Sequence, residues 1–128
     1  MTHKKATINE LLRKIEENRN RRKKEHLIYC KHLDMEIPVK MIPIEEVLDI
    51  LSSADTNDFG EQMDAYKQII YEHCPMLHNK NFQTEEYVQP YDVVFDVFGN
   101  NLNAIAEFSE KIIDLYGLGD VGEKVKNS

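Results

Sequence analysis

Residues 91–120 read YDVVFDVFGNNLNAIAEFSEKIIDLYGLGD, and the second half of this stretch has the clearest folding pattern in the chain. Its apolar residues recur three and four positions apart, as on one face of an amphipathic helix, and are interrupted only by Ser109. They are Leu102, Ile105, Ala106, Ile112, Ile113 and Tyr116. Asn100 or Asn101 can cap the start, and Gly117 can take the left-handed conformation that ends a helix. The pattern predicts a capped amphipathic helix.

The first half, residues 91–98, allows two interpretations. Its β-branched and aromatic residues favour a strand, since apolar and acidic residues partly alternate. A helix fits as well, because Pro90 suits a first helical position and Gly99 suits a helix end. The helical stripe is formed by Tyr91, Val94, Phe95 and Phe98. We favour the short helix.

The apolar face of residues 91–118 is either core or a groove-type contact surface, and periodicity alone does not separate the two. If it is a contact surface, five apolar residues are the candidates for binding a partner: Val94, Phe95, Phe98, Leu102 and Ile105. The exposure of Phe95 and Phe98 in a structure decides between the two interpretations.

Two apolar segments earlier in the chain, residues 27–33 and 37–42, predict the strands of a β-hairpin with a turn at 34–36. Pro38 lacks a backbone N–H, which places the second strand at a sheet edge. We expect Leu27, Tyr29 and Leu33 to share one face, with Val39 and Met41 opposite them. A lone hairpin is barely stable in water, so helices must cover it.

The N-terminal segment begins with Thr7-Ile8-Asn9-Glu10, a capping-box pattern that predicts a helix start. A narrow apolar stripe follows, formed by Ile8, Leu11, Leu12 and Ile15, but residues 16–25 contain no apolar residue. A helix without packing is marginal in water. We therefore expect residues 1–25 to form a basic helical arm that is mobile or becomes ordered against a neighbour or partner.

Two further helices are predicted in the middle of the chain. One opens at Pro43 and carries Val47 on its apolar stripe, and the other includes Met63 and Ile70 and ends at Pro75. With 128 residues, 41% of them hydrophobic, the chain can form one modest core. The expected fold is a single mostly helical α+β domain over residues 1–128, with the arm, one hairpin and four or five helices packed on it.

Charge divides the chain unevenly. Residues 1–31 hold ten Lys or Arg against four Glu, a net +6, and the remainder holds six basic and nineteen acidic residues, a net −13. Self-association or docking of the arm on the acidic body fits this asymmetry. The basic turn with Arg21, Arg22 and Lys23 can attract nucleic acid, but no aromatic residue interleaves it to stack on bases. We favour a solvated or protein-docking role for it.

No catalytic or metal motif is found in the sequence. Cys30, His32, His73, Cys74 and His78 do not have a zinc-site spacing, and we expect a buried Cys74, a half-exposed Cys30 and surface histidines. There is no nucleophile elbow and no phosphate-binding glycine loop, so we expect neither an enzyme nor a cofactor. No apolar run approaches the roughly 20 residues that span a bilayer, so we expect a cytoplasmic protein without a membrane partner.

Several stretches together resemble a known family. They are Thr7-Ile8-Asn9-Glu10-Leu11-Leu12, the basic stretch leading into the strand at Leu27, Leu33-Asp34 with Glu36-Ile37 at the turn, and the closing IIDLYGLGD of residues 112–120. The chain resembles the XkdN-like tail assembly chaperones of long-tailed phages and of PBSX-type prophages in Gram-positive bacteria. The resemblance covers nearly the whole chain except residues 72–89, where little matches.

The resemblance implies a non-enzymatic role. Chaperones of this kind bind the tape measure protein, keep its long hydrophobic helix soluble and help to recruit tail-tube subunits in the host cytoplasm. They are absent from the finished virion. The alternative from the residues themselves is a small nucleic-acid-binding regulator that acts through the basic N-terminal arm.

Overall fold

The computed structural model describes residues 3–83 and 85–117, which form a mostly helical α+β fold, as predicted. The α-helices and strands follow one another in the order α1 (Ile8–Lys23), β1 (Glu25–Cys30), β2 (Met35–Lys40), α2 (Ile44–Ser52), α3 (Phe59–His73), α4 (Val93–Val97) and α5 (Leu102–Ile113). Short 3-10 helices lie at Pro75–His78, Lys80–Phe82, Pro90–Asp92 and Asp114–Tyr116.

Helix α3 lies at the centre of the core. It packs most extensively against α5 and also contacts α2, α4 and the 3-10 turn that precedes α4. Its start is capped by Asp58, whose Oδ1 accepts from the N–H of Glu61 at 3.1 Å. The predicted apolar face is confirmed, since Met63, Ile69 and Ile70 are buried. The packed pair of α3 and α5 therefore forms the centre around which the other elements are arranged.

Residues 91–98 are helical, so the favoured interpretation is confirmed and the strand is excluded. Pro90 opens a 3-10 turn that continues into α4, and Gly99 ends this segment with a φ of 60°. Asn101 caps α5 by accepting the N–H of Ala104 at 3.0 Å. Gly117 has a φ of 69°, as expected for a residue that ends a helix. Residues 118–120 of the closing motif lie outside the described residues.

The hairpin is present, but its predicted bounds are wrong by about two residues. The strands are Glu25–Cys30 and Met35–Lys40, and the turn occupies residues 31–34. The turn closes where the N–H of Asp34 donates to the carbonyl of Lys31 at 3.3 Å. Asp34 has a φ of 52°, a conformation that Asp tolerates better than most residues. This local turn chemistry, rather than the apolar run, determines where the strands end.

The predicted faces of the hairpin are also wrong. His26 pairs with Val39, and Leu27 pairs with Pro38, so Leu27 and Val39 point to opposite faces. Val39 is buried, whereas Leu27 is exposed. Strand β1 carries apolar residues on both faces at 27–30, so alternation in the sequence does not indicate which face meets the core.

Helix α1 contributes nothing to this core, because none of its residues is buried. In the described part of the chain, no helix is both long enough and apolar enough to cross a membrane.

Candidate partner-binding surface

Three of the five apolar candidates in residues 94–105 belong to the core. Val94 and Ile105 are fully buried, and Phe98 is 1% exposed. The centres of the Phe98 and Phe108 rings lie 5.8 Å apart. The backbone carbonyl of Phe98 accepts a hydrogen bond from Nε2 of His32 at 3.0 Å. A partner cannot reach these side chains in the folded protein, so the core interpretation is the correct one for them.

The other two candidates are more accessible, but one of them is already occupied. Leu102, at the start of α5, is exposed. Phe95 is half-buried, and the ammonium group of Lys67 lies 3.8 Å from the centre of its ring. That cation–π contact uses a ring face that a partner would otherwise contact. Phe95 is therefore mainly a structural residue.

Lys67 is a buried cation that the sequence did not identify. Its side chain is 3% exposed, and its Nζ lies 2.6 Å from Oδ1 of Asp92 and 3.0 Å from Oδ1 of Asp64. A buried ammonium is stable only with partners of this kind. The contacts tie α3 to the start of α4. The signal in the sequence was the position of Lys67 between Met63 and Ile70 on the apolar stripe of α3.

Among the described helices, α1 carries the most exposed large apolar residues, and they form one stripe. Four residues at i, i+3, i+4 and i+7 form it, and their exposed fractions are 77% for Ile8, 56% for Leu11, 57% for Leu12 and 47% for Ile15. We call these four residues the α1 stripe. The predicted cap is present, since Oγ1 of Thr7 accepts the N–H of Glu10 at 3.3 Å. The α1 stripe therefore lies on a helix whose N-terminus is capped.

The same face of α1 becomes basic in its second half. Continuing the spacing of three and four residues from Ile15 leads to Arg19, Arg22 and Lys23. All three are exposed. A helix of 16 residues is about 24 Å long, so the face presents an apolar half and a basic half in line.

The junction between α1 and the body is short and held by hydrogen bonds. Lys24 is the one residue between α1 and β1. The carbonyl of Arg21 accepts from Nε2 of His26 at 3.2 Å, and the guanidinium of Arg21 donates to the carbonyl of Leu115 at 3.2 Å. Of the three basic candidates, Arg21 thus anchors the arm, whereas Arg22 and Lys23 remain exposed.

A buried histidine supports the C-terminal turn that holds Arg21. His73 is fully buried, and its Nδ1–H donates to the carbonyl of Ile69 at 2.6 Å. Its Nε2 then accepts from the hydroxyl of Tyr116 at 2.6 Å, and that hydroxyl oxygen accepts the N–H of Ile42 at 2.9 Å. Burial favours the neutral imidazole, and the chain of bonds connects α3, the Ile42 segment and the turn that contains Leu115.

We expect acid to destabilise the protein through His73. Burial lowers the pKa of His73, while its unfolded value is about 6.5. Below about pH 6.5 the unfolded state therefore binds a proton at His73 that the folded state does not bind. The free energy of unfolding falls in this range as pH drops, by at most about 1.4 kcal/mol per pH unit. Urea unfolding at pH 5.5 and 7.5 measures this.

His73→Gln is expected to reduce that pH dependence, although it also lowers stability at both pH values. His3→Gln, which removes an exposed imidazole ahead of α1, is the matched control and should keep the wild-type slope. An unchanged slope in His73→Gln would show that His73 is not the group responsible.

The cysteines and histidines do not form a metal site in the part of the chain that the structure describes. Cys74 is buried as expected, and burial raises the pKa of its thiol to about 12. Two expectations are wrong: Cys30 is 2% exposed rather than half-exposed, and His73 is buried rather than on the surface. His73 is covered by Tyr116, which lies 43 residues away in the chain, so the local sequence did not predict its burial.

A groove of about 310 Å³ lies between the end of β1 and α5. His32 and Lys111 line it, and each donates to a backbone carbonyl, His32 to Phe98 at 3.0 Å and Lys111 to Tyr29 at 3.0 Å. These bonds hold the hairpin against α5. They give the basic groups of the groove a structural role, so the α1 stripe is the stronger candidate for binding.

Comparison with protein-family models, with curated proteins and with solved structures finds no match to this chain.

Proposed function

We propose that this protein is a non-enzymatic chaperone of phage tail assembly, which binds the tape measure protein and helps to recruit tail-tube subunits. It acts in the host cytoplasm and is absent from the mature virion. The observation that carries the proposal is the α1 stripe, four exposed apolar side chains on one face of a helix that buries none of its residues. The resemblance of the sequence to tail assembly chaperones supplies the identity of the partner.

The spacing of the α1 stripe suits the binding of another helix. Positions i, i+3, i+4 and i+7 are the anchors by which an amphipathic helix contacts an apolar surface. Burying a Leu or Ile side chain contributes about 1.5–3 kcal/mol. The four side chains are already partly covered, so burying them supplies several kcal/mol towards an association cost of about 4–15 kcal/mol.

The basic half of the same face supports a client that also carries acidic groups. Arg19, Arg22 and Lys23 are exposed in line with the α1 stripe. Surface ion pairs contribute little affinity individually, so these residues act mainly on orientation and association rate. Arg22 and Lys23 thus keep the role proposed for them from the sequence, whereas Arg21 acts through the junction.

A nucleic-acid-binding regulator is the second candidate, and the exposed basic half of α1 favours it. Two observations weaken it. The guanidinium of Arg21 donates to the carbonyl of Leu115, which uses part of its hydrogen-bonding capacity for phosphates. The net −13 of the chain after residue 31 repels phosphates close to the arm.

Co-expression with the tape measure protein from the same genome tests the proposal. We expect the wild-type chain to raise the soluble fraction of the tape measure protein and to co-purify with it through two chromatographic steps. The physical reason is that α1 covers apolar surface that otherwise drives aggregation. If the tape measure protein stayed insoluble and did not co-purify with this chain at matched expression, the proposed chaperone function would be wrong.

A further inference from the structure

Helix α2 carries a second exposed apolar face, and acidic residues border this face on one side. Ile44 is 39% exposed and Leu48 is 49% exposed, while Val47, three residues after Ile44 on the same apolar stripe, is buried. Glu45 and Asp49 are exposed beside the two apolar side chains. We call these four residues the α2 face.

The α2 face and the face of α1 are complementary. One offers apolar residues flanked by carboxylates, and the other offers apolar residues followed by Arg19 and Arg22. Two α1 helices packed on each other would instead bring together two basic segments, since residues 8–23 hold six Lys or Arg against three Glu. Like charges in such proximity oppose association, so charge favours the contact of α1 with α2 over the contact of α1 with α1.

The α2 face of the same chain does not cover the α1 stripe, since all four stripe residues are exposed. Lys24 alone separates α1 from β1, and hydrogen bonds of Arg21 to His26 and to Leu115 fix the junction. The stripe begins at Ile8, at the far end of α1 from this junction. An acidic apolar face that covers it must come from another molecule.

We infer that, in the absence of a client, two copies of this chain associate by docking the α1 stripe of each copy on the α2 face of the other. The arrangement has twofold symmetry and contains the same contact twice. Arg19 and Arg22 of one copy lie against Glu45 and Asp49 of its partner. Because both faces are on the surface of the folded chain, association leaves the core unchanged.

Sedimentation equilibrium of the purified full-length chain over a range of concentrations tests the inference. We expect a reversible dimer whose dissociation constant rises with salt, because charged groups flank the contact. Leu11→Asp/Leu12→Asp and Ile44→Asp/Leu48→Asp should each weaken the dimer by at least about tenfold. Val88→Asp changes an exposed apolar residue outside both faces, so it should leave the dimer intact.

Exchanging the charges of the two faces distinguishes this specific contact from nonspecific association. Arg19→Glu/Arg22→Glu should weaken the dimer, and adding Glu45→Arg/Asp49→Arg to the same chain should restore it. Restoration requires a folded chain, so a variant that fails to fold cannot imitate it. A chain that stays monomeric at all concentrations, or a dimer lost in the α1 variant but kept in the α2 variant, would overturn the inference.

The inference is independent of the proposed function. The dimer is measured with no client present, and Ile44→Asp/Leu48→Asp leaves the α1 stripe intact. That variant should therefore be monomeric and still hold the tape measure protein in solution, so failure of one proposal is distinguishable from failure of the other.

Discussion

Phe98→Ala is expected to lower the free energy of unfolding by about 3–5 kcal/mol, the usual cost of removing a buried aromatic ring. Phe98 is 1% exposed and packs against Phe108, so the substitution leaves a cavity between α4 and α5. Domains of this size have a total stability of about 5–15 kcal/mol, so the variant loses a large part of it. Urea unfolding followed by circular dichroism measures the change.

The matched control is Leu11→Ala/Leu12→Ala, which removes two apolar side chains from α1. Both side chains are more than half exposed, so the free energy of unfolding should change by less than about 0.5 kcal/mol per residue. If Phe98→Ala were as stable as the wild type and lost partner binding instead, Phe98 would be a contact residue and the assignment to the core would be wrong.

Lys67→Met is expected to lower the free energy of unfolding by about 2–4 kcal/mol. Removing one member of a buried ion pair costs about 3–5 kcal/mol, because the other charge is left without its partner. The lower figure applies here because Asp92 is 23% exposed and Asp64 is 52% exposed, so water partly replaces the ammonium. Met keeps most of the length of the side chain but removes the ammonium, and with it the cation–π contact with Phe95.

A double-mutant cycle with Asp92→Asn isolates the ion pair. We expect Lys67→Met/Asp92→Asn to be more stable than the sum of the two single changes predicts, since the double variant contains no unpaired carboxylate at position 92. Additive effects would mean that Lys67 stabilises the fold through its apolar stem rather than through Asp92.

The helix ends were predictable because they depend on a few neighbouring residues. Thr7 and Asn101 each cap a helix through a backbone N–H three residues ahead, and Gly117 has the positive φ that ends a helix. The helical interpretation of residues 91–98 followed from Pro90 and Gly99 in the same way. Helix ends of this kind can be predicted from residues within one turn of the end.

The orientation of surfaces was not predictable, because distant residues decide it. Phe98 and Ile105 form an apolar face that is equally suited to core or contact, and only α3 packing against α5 shows that it is core. The face of β1 that is buried depends on the same packing. Lys67 was missed because its partner Asp92 lies 25 residues away in the chain.

The α1 stripe was visible in the sequence, but its significance was not. The spacing of Ile8, Leu11, Leu12 and Ile15 predicts one apolar face, and it does not tell whether the body of the chain covers that face. The structure leaves the face exposed on a helix with no buried residue. The candidate binding surface thus moved from residues 94–105 to the N-terminal helix.

The soluble yield of the tape measure protein, co-expressed with the wild type or with Leu11→Asp/Leu12→Asp at matched levels, tests the central claim most directly. Two carboxylates in the middle of the α1 stripe, which the client would have to bury, should abolish co-purification and return the tape measure protein to the insoluble fraction. Val88→Asp should behave as the wild type. If Leu11→Asp/Leu12→Asp held the tape measure protein in solution as well as the wild type does, the α1 stripe would not be the binding surface.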